Sequence, residues 1–477
     1  MSKIRALLNE TVLYGLGSIV PRVLNFFLVS LHTRIFLPSE YGILTNLFVW
    51  VGLLNIVYTF GMETSYFRFA TKPGADPQKI FRSSLTFVIA VSFILSATII
   101  FFSAPIAELF SIGTHVDFII ILAITMFFDS TVAIPFAQLR LKKKASLFAL
   151  MKVINVVVII GLNFFFLLKI YDPHVGVGYI LYANLIANFL YILFFLKTFL
   201  NFRPLWNKLL FSQMFKYAYP IALMGLPAMT NEMFSRMILA QWLPHNFYPG
   251  KSSLYALGVF GACFRFSVFM NLVVQAFRFA AEPFFFSNAT NKNSPTLFAK
   301  VNHYFIIVCC FILISVSVHL DIIKHFISEV YREGIGIVPI LLIGYFFLGV
   351  YYNFSIWFKL TDKTYFGTLI TASGTVLTIF FNYLLIPYFG YFGSSWATVI
   401  CYGFMMVVCY LLGQKYFPIP YKILYGFGYF ALSLVLIQSS IWIKFEHPII
   451  SFSFHNLLII IYLAIAYIFE HKQWGKF

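Results

Sequence analysis

Fourteen apolar runs of roughly bilayer-spanning length follow one another along these 477 residues, and no other feature limits the fold so tightly. They lie at 10–31, 42–66, 83–107, 117–139, 148–169, 178–199, 217–243, 254–277, 301–322, 336–358, 366–387, 394–413, 423–443 and 450–469. A helix needs about 20 mostly apolar residues to cross the hydrocarbon core. Only 10% of the residues are charged and 61% are hydrophobic. A soluble domain carries about 25% charge, so this chain could not cover its own surface in water. A cytosolic enzyme, a secreted domain and a disordered scaffold are excluded, and the chain reads as an all-α polytopic membrane protein with about 14 transmembrane helices. The first run follows Lys3 and Arg5, as a signal peptide would. It is long, carries Arg22 and lacks a small-residue cleavage site, so it reads as a retained helix.

The formal charge of +17 matters here through its placement. Of the 33 Lys and Arg residues, 24 fall on one face, outside the runs or near their ends. They include Lys3, Arg68, Lys72, Arg140, Lys142 to Lys144, Lys152, Arg278, Lys359, Lys422 and Lys476. Six fall on the other face (Arg34, Lys169, Lys251, Lys324, Arg332 and Lys444), and Arg22, Arg236 and Arg265 lie within spans. By the positive-inside rule the basic face is cytoplasmic, both termini included. The sequon Asn288-Ala289-Thr290 falls on that face and reads as an unused match. Cys263, Cys309, Cys310, Cys401 and Cys409 all lie in apolar runs and read as packing thiols, not a disulfide framework or metal site. Nothing in this charge pattern points to nucleic acid.

The two halves match each other in order. Tyr66-Phe67-Arg68-Phe69-Ala70 closes span two and Ala276-Phe277-Arg278-Phe279-Ala280 closes span eight. Lys144 and Asn163 stand to span five as Lys363 and Asn382 stand to span eleven; Gly178 and Gly393 open spans six and twelve. Six spans separate partners, and six is even, so the repeats run the same way through the bilayer. The expected architecture is two six-helix lobes facing a central cleft, plus two C-terminal helices. Its parts are 1–199 (spans one to six), a cytoplasmic connector 200–216, 217–413 (spans seven to twelve), and 414–477 (spans thirteen and fourteen with a tail). The connector holds Leu205, Trp206, Leu209, Leu210 and Phe215 beside Lys208 and Lys216, the composition of a short interfacial helix or a plain link.

Leu37-Pro38-Ser39-Glu40-Tyr41-Gly42-Ile43, Glu63 through Phe69, and Asn382 through Pro387 with Gly390, Gly393 and Ala397-Thr398 look like elements of bacterial polysaccharide flippases. With fourteen spans in two lobes, nearly the whole chain resembles Wzx-type flippases of the multidrug/oligosaccharidyl-lipid/polysaccharide (MOP) superfamily. Gly393-Ser394-Ser395 departs from that family's Gly-Ala-Ala but keeps small residues for close packing. The resemblance implies transport of a polyprenyl-pyrophosphate-linked oligosaccharide, such as an O-antigen or capsule repeat unit, across a bacterial inner membrane. It implies no catalysis.

A charge at the bilayer centre costs about 2.5–3.5 kcal/mol on insertion scales, so each one needs a reason. Arg22, Asp129, Glu232, Arg236 and Arg265 lie near mid-span. Arg22 and Asn25 (i, i+3) face one region, Glu232 and Arg236 (i, i+4) share a face and are placed to pair, and Asn231 adjoins Glu232. Pro21 and Pro227 interrupt the helices nearby, which membrane helices tolerate beside cavities or neighbours. Two readings stand open: internal salt bridges between packed helices, or a solvated cationic cleft. In the second, Arg22, Asn25, Asn231, Arg236 and Arg265 bind the substrate, since Arg grips diphosphate oxygens bidentately. Asp129 and Glu232 then set geometry or carry a coupling H+ or Na+. Glu63, Arg68 and Arg278, near the inner ends of spans two and eight, are candidates for gating, with Glu63 and Arg68 as either a gate or a solvated pair. Asn155, Asn184 and Asn188 are polar enough to meet sugars.

Competing functions are a cation-coupled drug or metabolite antiporter of the same superfamily and a membrane glycan polymerase. The extra two spans and the Arg-dominated centre disfavour the first; the lack of a long outer loop disfavours the second. A lipid II flippase is a near relative. No phosphate loop, metal-ligand spacing or nucleophile elbow occurs, so no cofactor is expected. Membrane lipids and glycan-assembly proteins are the expected partners.

Overall fold

The computed structural model describes residues 2–110, 112–113, 115–288, 293–443, 445 and 447–471. Lys292, Lys444, Lys472, Lys476 and the last two sequon residues lie outside them. All the described regular structure is helical. Among the described residues, eleven helices are long and apolar enough to cross a membrane, and Gly178–Phe194 is a shorter apolar helix. Two further long helices, Ser2–Ile35 and Lys208–Trp242, carry prolines in their interiors and coincide with the first and seventh apolar runs.

In chain order these are α1 (Ser2–Ile35), α2 (Pro38–Ala70), α3 (Pro77–Phe101), α4 (Val116–Leu141), α5 (Ala145–Lys169), α6 (Gly178–Phe194) and α7 (Lys208–Trp242). Then come α8 (253–288), α9 (Ser294–Val318), α10 (Ile337–Leu360), α11 (Tyr365–Phe389), α12 (Tyr391–Tyr416), α13 (Ile423–Trp442) and α14 (Pro448–His471). Local chemistry fixes several ends. Pro38 opens α2 while the Glu40 carboxylate accepts the Leu37 amide at 2.8 Å. The Asp76 carboxylate caps α3 by accepting from the amides of Gln78 (3.0 Å) and Lys79 (3.2 Å), with Pro77 at the first helical position. Gly390, at φ +55°, turns α11 into α12.

The chain forms two compact units, Met1–Ala240 with Gly250–Gly258, and Gln241–Pro249 with Val259–Phe477. Within the first, α3 packs on α4, α4 on α6, and α5 on α6. Within the second, α9 packs on α10, α10 on α12, and α11 on α12: the same three pairings six helices later. The internal repeat read from short matches is thus a repeat of packing. Asn163 and Asn382 occupy equivalent places in it. Both are buried, and each donates its amide back one turn, to Ile159 O (2.8 Å) and Thr378 O (2.7 Å). All five cysteines are buried and unbridged.

Two helices are interrupted. α2 breaks at Phe60 (φ +49°) and Gly61 (φ +67°), both left-handed. A Cβ at Gly61 would sit 2.8 Å from the Ala218 carbonyl of α7, so the close approach as well as the φ demands glycine. α8 tightens to a 3-10 turn at Arg265–Ser267. The stretch expected to be a connector is partly helical. α7 already begins at Lys208, its first turn capped by the Asn207 side chain accepting from the Leu210 amide at 3.0 Å.

Candidate functional site

In the first unit, α1 runs through Pro21 and leaves Arg22 exposed, with Asn25 half-buried a turn later. Among the described residues no carboxylate lies within ion-pair distance of Arg22. Ten residues further along the same helix, buried His32 meets the Asn163 side chain of α5 at 2.8 Å. Sequence reasoning passed over this contact, although Asn163 was flagged by the repeat.

α7 places Asn231 inside (4% exposed) and leaves Glu232 and Arg236 half-buried. The expected side-chain pairing of Glu232 with Arg236 is not what forms. The guanidinium donates instead to the Glu232 main-chain oxygen (3.1 Å) and reaches the Met233 sulfur (3.0 Å). Pro220 and Pro227 lie upstream in this helix; each removes a backbone donor and frees an acceptor one turn earlier.

The expected pairing of Glu63 with Arg68 is also corrected. Glu63 makes its ion pair with Arg140 of α4, while the Arg68 guanidinium lies on the Tyr217 ring of α7, 4.4 Å from its centre. The α2 break is the physical reason. Beyond Gly61 the helix restarts on a new axis, and Ser65 Oγ donates to Met214 O of α7 (3.1 Å) to hold it there. Phe60 stacks on Phe215 with ring centres 5.2 Å apart.

Asp129 borders a cavity of about 150 Å³, with polar neighbours Asn55, Thr125, Ser130, Asn184 and Asn188. A carboxylate, three amides and two hydroxyls supply hard oxygen donors, which suit a proton, a small cation or water. Asn155 steadies this wall by donating to Ala187 O (2.7 Å) and, more weakly, to Asn188 Oδ1 (3.4 Å). The nearby Lys152 ammonium lies over the rings of Phe136 (4.4 Å) and Tyr191 (4.7 Å).

In the second unit, Arg265 starts the 3-10 turn of α8 and is exposed, again without an ion-pair partner among the described residues. Thirteen residues past it, Arg278 is exposed and lies over the Tyr352 ring of α10 (4.7 Å). Lys359 of α10 donates to Glu282 of α8 at 2.8 Å. A buried polar cluster went unnoticed in the sequence. His303 of α9 meets Glu470 of α14 at 2.8 Å, and Tyr429 of α13 donates to the same carboxylate oxygen at 2.9 Å. The available signal was an acid at the end of an otherwise apolar last span. Beside His303 lies a cavity of about 180 Å³ whose walls are almost wholly Phe, Ile, Val, Met and Tyr. Among the described residues, no three His, Cys, Asp or Glu side chains are grouped to hold a metal.

The polysaccharide biosynthesis protein family matches residues 31–246. Lipid II flippase MurJ, in an inward closed conformation, shares the fold at a TM-score of 0.75 and 16% identity, over 96% of this chain and 99% of that one. The two chains share one fold along almost their whole length. An inward-facing MATE-family multidrug resistance transporter of the MOP superfamily aligns at a TM-score of 0.63 and 16% identity, covering 85% of this chain and 94% of the other. Its outward-facing counterpart aligns at 0.59 and 15% identity, covering 86% and 94%. No curated protein matches the chain in sequence. The resemblance read from span ends and glycines is therefore borne out in a family match over residues 31–246 and in the fold, and the described residues include many helices apolar and long enough to cross a membrane.

Proposed function

We propose that the protein flips a polyprenyl-pyrophosphate-linked oligosaccharide across a bacterial cytoplasmic membrane by alternating access, with both termini in the cytoplasm and no covalent catalysis. The observation that carries this reading is the state of two mid-span arginines. Arg22 and Arg265, one in each unit, are exposed from their helices and lack a carboxylate partner among the described residues. A guanidinium that served only to bind helices together would be neutralised by them. An unneutralised one at membrane depth is suited to a travelling diphosphate, which it holds through charge-assisted, bidentate hydrogen bonds. Arg236, Asn25 and Asn231 supply further donors on α1 and α7. The match to a polysaccharide biosynthesis family and the fold shared with a lipid II flippase support a lipid-linked glycan over a drug.

Asp129 and its amide-lined cavity serve the coupling ion, H+ or Na+, in this reading. Glu63 acts in gating through Arg140. Glycan-assembly proteins are the natural neighbours of such a flippase in the membrane. The test replaces Arg22, Arg236 and Arg265 singly by Ala in a strain dependent on this protein. Surface glycan is expected to disappear while membrane levels of the protein hold. Normal export in all three variants sinks the proposal.

A further inference from the structure

Arg68 and Arg278 occupy the same place in the two repeats, the arginine of matching Phe-Arg-Phe-Ala runs on α2 and α8. Both are exposed, and each sits over a tyrosine ring, Tyr217 in the first unit and Tyr352 in the second. Each has a carboxylate close by in sequence, Glu63 five residues before Arg68 and Glu282 four residues after Arg278. Neither carboxylate serves its arginine. Glu63 is taken by Arg140 and Glu282 by Lys359, two cations that are themselves repeat partners, one at the end of α4 and one at the end of α10.

The same arrangement therefore recurs twice. One cation removes the local acid, and the neighbouring arginine stays unneutralised on an aromatic support. Among the described residues neither Arg68 nor Arg278 has an ion-pair partner. Stacking on a ring holds a guanidinium in plane without consuming its N–H donors, so the fork remains available to a ligand. Lys72, over the Phe69 ring, adds charge beside Arg68. A planar fork with free donors, at the ends of the spans that border basic loops, fits a membrane-tethered phosphate or diphosphate, not a carboxylate-poor neutral solute.

We propose that Arg68 and Arg278 are twin docking sites for a lipid-borne phosphate on the basic face of the protein, where the substrate's head group first engages before moving to mid-membrane. The proposal rests on the flippase reading for the identity of that lipid. An anionic phospholipid head group presents the same chemistry, and the experiment separates the two.

The full-length protein is placed in phosphatidylcholine nanodiscs, and binding of a polyprenyl diphosphate and of phosphatidylglycerol is measured. Arg68→Ala and Arg278→Ala are expected to weaken diphosphate binding about tenfold each, the loss of one charge-assisted contact. Arg→Lys at either position retains the charge but not the fork and recovers only part of the loss. Glu63→Gln and Glu282→Gln, which free Arg140 and Lys359, are expected not to weaken it. If the wild type binds phosphatidylglycerol alone and the Ala variants lose that, the docking sites stand and the flippase reading fails. If the wild type binds the diphosphate and the Ala variants bind it equally well, the docking sites are refuted while the flippase reading stands. Thermal midpoints measured in parallel guard against misfolding; a lowered midpoint with unchanged affinity assigns both arginines to structure and overturns the proposal.

Discussion

The first and second units repeat one packing scheme yet line their interiors differently. Around α4 and α6 the first unit keeps a polar cavity with Asp129 and three asparagines. Around α10 and α12 the second keeps an apolar one, and its buried ionisable groups, His303 and Glu470, sit where α13 and α14 dock on α9. Helix pairing is set by small residues and apolar surface, which duplication preserves cheaply in sequence. Interior chemistry depends on single side chains and is free to diverge. The scaffold and the interior chemistry therefore answer to different parts of the sequence.

The largest effect that would break this picture is loss of transport in Arg22→Ala or Arg265→Ala. Export is expected to fall at least about a hundredfold in either variant, in keeping with about 2–3 kcal/mol or more for a lost charged contact. Loss in both variants gives each unit a part in transport, and a one-sided loss assigns the substrate to one unit. Asp129→Asn comes next. It is expected to reduce export about tenfold and to flatten its response to pH or to Na+, whichever ion is coupled, as read in proteoliposomes. An unaltered response leaves the polar cavity without a coupling role.

Stability sharpens the contrast further. Glu470→Ala leaves His303 and Tyr429 without their shared acceptor in a buried place. Breaking a buried pair costs about 3–5 kcal/mol, so the thermal midpoint in detergent should fall by several degrees. Gly42→Ala should cost about 1–3 kcal/mol, because a Cβ there would collide with the Leu254 carbonyl in the first unit. Glu63→Gln is the smallest. Glu63 and Arg140 are each about a third exposed (35% and 33%), and screened pairs contribute up to about 1 kcal/mol, so the midpoint should scarcely move even if gating changes.

The spans, their number and the repeat were legible because each is written in many residues at once. Twenty apolar positions, or matching motifs at a constant offset, survive local exceptions. Pairings were not legible. Glu63 had Arg68 on the next turn but one, and i, i+5 spacing within a helix gives no hint of a break at Phe60 or of Arg140 waiting on α4. Glu232 and Arg236 had ideal spacing, yet the guanidinium turned to a backbone oxygen and a sulfur instead. His32 with Asn163 and His303 with Glu470 join residues 131 and 167 positions apart, a distance over which sequence carries no directional information. The deep arginines were visible from cost alone, since a charge in an apolar run stands out whatever it does.

The break at Phe60 and Gly61 makes α2 two bodies joined by a two-residue swivel. The part bearing Glu63 and Arg68 is fastened through Ser65, Phe60 and Gly61 to α7, and through Glu63 to α4. A tilt of the upper segment therefore need not carry the lower one with it. An alanine at Gly61 would meet both the left-handed φ and the Ala218 carbonyl, and would therefore unseat this joint from α7.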